Sequence, residues 1–143
     1  MINTNNVEEA KKMLKKEQSP RIVLAQNDEF NRKIAEQAKF EILLSVEKGN
    51  RKNKIRQIDS GLNHVLAKIA SKNGIAIGIN LKEIIILGKK EKAERLAKIK
   101  QNIKICRKSR TRLAVIGAPV QEARELLQSL GASTQQIKEA IVF

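Results

Sequence analysis

His64 and Cys106 are the chain's one histidine and one cysteine, so acid–base, nucleophilic or metal chemistry would fall to them first. A general base needs an orienting partner and a nucleophile within hydrogen-bond reach, and the residues around His64 supply neither. On a helical wheel His64 faces away from the apolar stripe of its helix, a solvated or ligand-contacting position. Cys106 falls among apolar neighbours at a helical position and reads as a buried structural thiol. As a lone cysteine it has no internal disulfide partner, in keeping with a reducing compartment. A hydrolytic metal centre requires several ligands converging on one ion. Only carboxylates are numerous enough here, and the candidates are Asp28, Glu47 and Asp59, each also explained as a helix cap or a loop residue. No glycine-rich phosphate loop is present. These residues predict no catalytic site, no metal site and no cofactor bound by the protein.

Cations are the group in excess. Between positions 48 and 112 there are 19 Lys/Arg and 4 Asp/Glu, against 10 and 11 in the rest of the chain, so the middle carries the whole net charge of +14. Charge of that size and clustering implies a polyanionic partner. Lys48, Arg51, Lys52, Lys54 and Arg56 follow a predicted strand and precede a predicted helix, the side on which α/β folds carry ligand-facing loops. A helix over 89–108 adds further cations, including Arg95, Lys98 and Arg107. Aromatics are only 2% of the chain, with no Trp or Tyr, which disfavours base-stacking recognition of single strands. Recognition of folded RNA by backbone and shape fits better.

Short apolar runs at 21–26, 41–46, 75–80 and 113–117 read as strands, and helices are predicted over 6–18, 28–39, 60–72, 89–108, 119–130 and 134–141. Asp28 and either Asp59 or Ser60 are the expected caps of the second and third helices. Leu62, Val65, Leu66, Ile69 and Ala70 form the expected apolar stripe of the third. Pairs four residues apart, Glu91 with Arg95 and Glu94 with Lys98, are expected on the long helix. Four strand–helix units predict one α/β domain over 1–143 with parallel pairing, either an open sheet or a partial, shortened TIM-type barrel. The amino end lacks the pattern of a signal peptide and no run is long enough to span a membrane, so a soluble, cytoplasmic protein with no membrane partner is expected.

The segment RQIDSGLNHVLAKIASKNGIAIGINL closely resembles the "DSGLNHVLAK" signature of ribonuclease P protein component 3, the archaeal and eukaryotic thirty-kilodalton subunit family. IVLAQNDEFNRKIAEQ and ERLAKIKQNIKICRKS resemble flanking segments of that family, in the same order. Asp59, Ser60, Gly61, Asn63 and His64 match the signature turn, and Asn31, Arg32, Arg95 and Asn102 match polar positions of the flanking helices. The resemblance implies a TIM-type barrel in a ribonucleoprotein endonuclease, a hydrolase that removes 5′ leaders from precursor tRNA. It implies that the RNA subunit, with Mg²⁺, performs the cleavage, and that this subunit acts with ribonuclease P protein component 2. The expected RNA contacts are Lys48, Arg51, Lys52, Lys54, Arg56, Ser60, Asn63, His64, Arg95, Lys98 and Arg107.

The chain is short at its amino end relative to that family and its glycine turn is altered to Gln26-Asn27-Asp28. Four strands cannot close an eight-stranded barrel, so a half-barrel, self-association through an open sheet edge, or completion by a partner is expected, with Ile84–Leu87 as a docking patch. The alternatives are a structural RNA-binding protein of another particle such as the ribosome, and a small metal-dependent phosphoesterase. Replacing Lys48, Arg51, Lys52, Lys54 and Arg56 by Ala is expected to weaken RNA binding at all sequences. A salt titration should show the slope of log K against log[salt] flattened by about 0.7 to 0.9 for each phosphate that is no longer neutralised.

Overall fold

The computed structural model describes residues 1–49 and 58–143, so Arg51, Lys52, Lys54 and Arg56 of the basic loop lie outside the described residues. Among the described residues five strands form one parallel sheet: β1 (Ile22–Leu24), β2 (Ile42–Leu44), β3 (Ala76–Asn80), β4 (Leu113–Ile116) and β5 (Ile141–Val142). Their spatial order is β1-β2-β3-β4-β5. Every strand lies beside its predecessor in sequence, whereas a doubly wound sheet reverses direction at a switch point. The choice that periodicity left open is thereby decided in favour of an arc of a TIM-type barrel. Ile2 extends the arc, its N–H donating to the Ile22 carbonyl and its carbonyl accepting from Leu24, each at 2.8 Å.

The helices are α1 (Val7–Leu14), α2 (Asp28–Gln37), α3 (His64–Lys72), α4 (Leu81–Ile85), α5 (Lys89–Ser109), α6 (Val120–Ser129) and α7 (Thr134–Glu139). Asparagine opens four of them. Asn27 Oδ1 accepts from Phe30 N–H at 2.8 Å and Asn63 Oδ1 accepts from Leu66 N–H at 2.8 Å. Asn27 and Asn63 therefore take the capping positions expected of Asp28 and of Asp59 or Ser60. A neutral amide accepts the orphan N–H as well as a carboxylate does. Asp28 instead lies in the first turn of α2, where negative charge complements the helix dipole. With α3 starting at His64, its buried residues are Leu66, Ala67 and Ala70, and Val65, expected inside, is exposed.

Two further elements depart from expectation. The last helix stops at Glu139, and Ala140 turns extended (ψ 139°), which lets Ile141 and Val142 pair with Ala114 and Val115. The unpaired edge of β4 needs backbone partners, and two β-branched residues suit a strand. The run at 84–87 straddles the end of a short helix, α4: Ile84 is buried, Ile85 is exposed at its last position, and Ile86, its C-cap, is exposed as well.

Alternation along the strands builds two cores. Val23, Leu43, Ile77, Leu113 and Val115 belong to the core that packs the helices on the outside of the arc. Ile42, Leu44, Ala76 and Ala114 fill the inner face, with Ile22, Leu24, Ile116 and Ile141 against them. Burying each such large side chain is worth about 1.5–3 kcal/mol. Gly78 is required on the inner face, because a Cβ there would lie 2.6 Å from Ile42 Cγ2. The interior is an apolar packed layer, so polar functional groups are left to the ends of the strands and the outer helices.

At the amino ends of β1 and β2, Glu41 accepts from the Arg21 backbone N–H at 2.6 Å and from its guanidinium at 3.1 Å. Burial alone would raise the Glu41 carboxyl, but the hydrogen bonds and charge of Arg21 outweigh it and hold the group below the usual carboxylate range. A depressed pKa stabilises the fold above the unfolded value of about 4.3 and loses that contribution as pH falls through the folded value. Glu41→Gln is therefore expected to lower stability at pH 7, with the deficit closing below about pH 4.3, as measured by denaturant unfolding across pH.

Candidate nucleic-acid interface

β2 leaves the sheet through Ser45, whose φ of +61° is rare for a residue with a side chain. Its N–H donates to the Gly78 carbonyl at 3.0 Å and its carbonyl accepts from Lys48 N–H at 3.2 Å. This turn carries Glu47 inside, 2% exposed, and leaves Lys48 outside. Glu47 Oε1 accepts from Arg95 Nε at 3.1 Å, Glu83 Oε1 from Arg95 Nη1 at 3.3 Å, and Lys48 Nζ lies 2.8 Å from Glu83 Oε1. The result is a chain of alternating charge, Lys48–Glu83–Arg95–Glu47, joining the end of β2 to α4 and α5. Burial pushes Glu47 up despite its bonds to Arg95 and the backbone. Burial also opposes ionisation of Glu83, but Lys48 and Arg95 together bring that carboxyl below its usual range.

Arg95, an expected RNA contact, is thus buried and engaged with Glu47 and Glu83 rather than with Glu91. Lys98, one turn further along α5, is half-buried and lines a cleft of about 180 Å³ with Glu47, Lys48 and Gly49. Ser60 is also buried, 1% exposed. Its hydroxyl accepts from Gln101 Nε2 at 3.2 Å and its carbonyl from Asn102 Nδ2 at 3.2 Å, while Gln101 also donates to the Ile58 carbonyl at 2.9 Å. The Asp59-Ser60-Gly61 turn is therefore clasped by α5, with Gly61 at φ +77° and its N–H donating to Asp59 Oδ1 at 3.1 Å. Gln101 does not stand out in the sequence; its one signal is a polar amide beside the Ile99 and Ile103 stripe. Asn63 and His64 are exposed at the start of α3. Lys48 and Arg107 are exposed as well, Arg107 at the opposite end of α5.

The other chemically suggestive groups are accounted for locally. Cys106 is buried and its thiol is pushed up to about 12, so it stays protonated at neutral pH. Asp28, Glu47 and Asp59 do not converge, and among the described residues no three of His, Cys, Asp or Glu gather as metal ligands. No helix among the described residues is long and apolar enough to cross a membrane.

The cations, by contrast, concentrate on neighbouring helices. α5 holds nine Lys/Arg against two Glu, and α3, which packs against it, holds Lys68 and Lys72 with no acidic residue. α2 and α6 each hold one more carboxylate than cation. Lys68, Lys72, Lys100, Lys104 and Lys108 are all exposed. Such a surface attracts phosphates and releases their counterions.

No family model and no curated protein matches this chain. Its structure is similar to a chain in a cryo-EM structure of archaeal Ribonuclease P with mature tRNA, at a TM-score of 0.76 and 20% identity. The two chains share a fold. The likeness covers 97% of this chain and 60% of that one, so this chain spans about three-fifths of its neighbour's length.

The ion-pair chain makes a thermodynamic prediction. Arg95→Met leaves Glu47 buried without its partner, which is expected to cost about 3–5 kcal/mol in unfolding free energy. The double variant Arg95→Met/Glu47→Met should recover most of that stability, read by denaturant unfolding in a double-mutant cycle.

Proposed function

We propose that this chain is an RNA-binding, non-catalytic protein subunit of ribonuclease P, of the component 3 kind, supporting RNA-catalysed removal of 5′ leaders from precursor tRNA. The observation that carries the reading is the pair of adjacent cationic helices, α3 and α5, on the outer layer of a barrel arc whose inner face is packed with apolar side chains. The fold likeness to a chain of the archaeal Ribonuclease P structure supports it, as does the resemblance of residues 59–68 to the component 3 signature.

In this reading the exposed lysines of α3 and α5 contact ribose-phosphate backbone, with Lys48, Asn63, His64 and Lys98 around the carboxyl end of the sheet. Arg95 acts indirectly, holding Lys48 and the end of β2 in place through Glu83 and Glu47. Lys48 and the clasped Asp59-Ser60-Gly61 turn bracket positions 50–57 in sequence, and both are held in place. Mg²⁺ and the cleavage chemistry belong to the RNA subunit. Component 2 is the protein partner, and an open strand edge of the arc is a natural place for it to pair.

Reconstitution with a ribonuclease P RNA, component 2 and precursor tRNA in Mg²⁺ tests the proposal. Addition of this chain should raise cleavage, and Lys100→Ala/Lys104→Ala/Lys108→Ala should raise the RNA concentration needed for half-maximal activity. Turnover by the protein after all RNA is removed would contradict it.

A further inference from the structure

At the end of α5 remote from Lys48, three arginines line one cavity of about 780 Å³. Arg107 donates to Gln136 Oε1 at 3.2 Å and to the Gly131 carbonyl. Arg112 donates twice to the Glu139 carbonyl, at 3.1 and 3.0 Å. Both are held by neutral oxygens, which fix the guanidinium without cancelling its charge. Arg110 is the C-cap of α5, in the left-handed conformation (φ +57°), and its side chain is exposed. None of the three forms a salt bridge among the described residues. The one carboxylate lining the cavity, Glu139, accepts a hydrogen bond from Gln135.

Three arginines lining one concavity, none in a salt bridge among the described residues, leave positive charge there in excess, and an anion with several oxygens offsets it. Guanidinium geometry matches phosphate oxygens in paired, parallel hydrogen bonds. The geometry points to a phosphate-binding site formed by Arg107, Arg110 and Arg112, whose ligand is a phosphodiester of an RNA segment other than the one met at the carboxyl end of the sheet. This inference rests on the RNA-binding reading and extends it. α5 spans 21 residues, about 30 Å, with Lys100 and Lys104 exposed between its two ends. The helix is then a cationic spine whose ends hold separate stretches of one folded RNA.

The test uses the full chain and a defined RNA hairpin, with affinity measured over a range of KCl concentrations. Arg110→Asn removes the charge while keeping a residue that tolerates the left-handed conformation, and Arg110→Lys restores the charge. Asn is expected to flatten the slope of log K against log[salt] by about 0.7 to 0.9, and Lys to retain the wild-type slope. A wild-type slope in Arg110→Asn, with wild-type RNA binding intact, overturns the site and leaves the RNA-binding reading standing. Absence of RNA binding by the wild type overturns both. In a parallel arm, millimolar inorganic phosphate that shifts the Arg110 Nε resonance, while the hairpin slope ignores Arg110→Asn, identifies a small-anion site and overturns the RNA assignment.

Discussion

The buried contact between Arg95 and Glu47 is the constraint on which the surface depends. A carboxylate this deep is tolerated only with a cation and hydrogen bonds to match, and that cation comes from α5, 48 residues along the chain. Satisfying it pins the long helix against the carboxyl end of β2, and through Glu83 it fixes α4 and Lys48 as well. The same helix clasps the Asp59-Ser60-Gly61 turn with Gln101 and Asn102. Glu47, and Ile58 with Ser60, are therefore all held by α5.

This arrangement separates two populations of cations that composition cannot tell apart. Arg21 and Arg95 have carboxylate partners and hold the structure. Lys68, Lys100, Lys104 and Lys108 are exposed on helices short of carboxylates. Only the second kind retains the long-range field that steers and holds a polyanion. The barrel interior contributes nothing to that field, because Ile42, Leu44, Ala76 and Ala114 fill it.

Much of the fold was legible in the residues, and the misses have physical causes. The four strands over 21–26, 41–46, 75–80 and 113–117 were visible because a parallel sheet buried on both faces demands unbroken apolar runs. Ile141–Val142 escaped because two residues carry no periodicity; its pairing is set by β4. The caps slid from Asp28 to Asn27 and from Asp59 or Ser60 to Asn63, since nearby polar residues compete for one N–H and sequence does not rank them. His64 was placed on the surface correctly by helical phase. Arg95 and Ser60 could not be placed, because an arginine that meets a distant Glu47 and a serine clasped by Gln101 look like any exposed polar residues until the fold brings their partners together.

Lysine reactivity in the presence and absence of a folded RNA tests the central claim most directly. RNA is expected to protect Lys68, Lys72, Lys100, Lys104 and Lys108 from acylation, while Lys12, Lys15 and Lys16, exposed in and just after α1, across α2 from the cationic pair, stay reactive. Equal protection of both groups, or protection confined to α1, would contradict it.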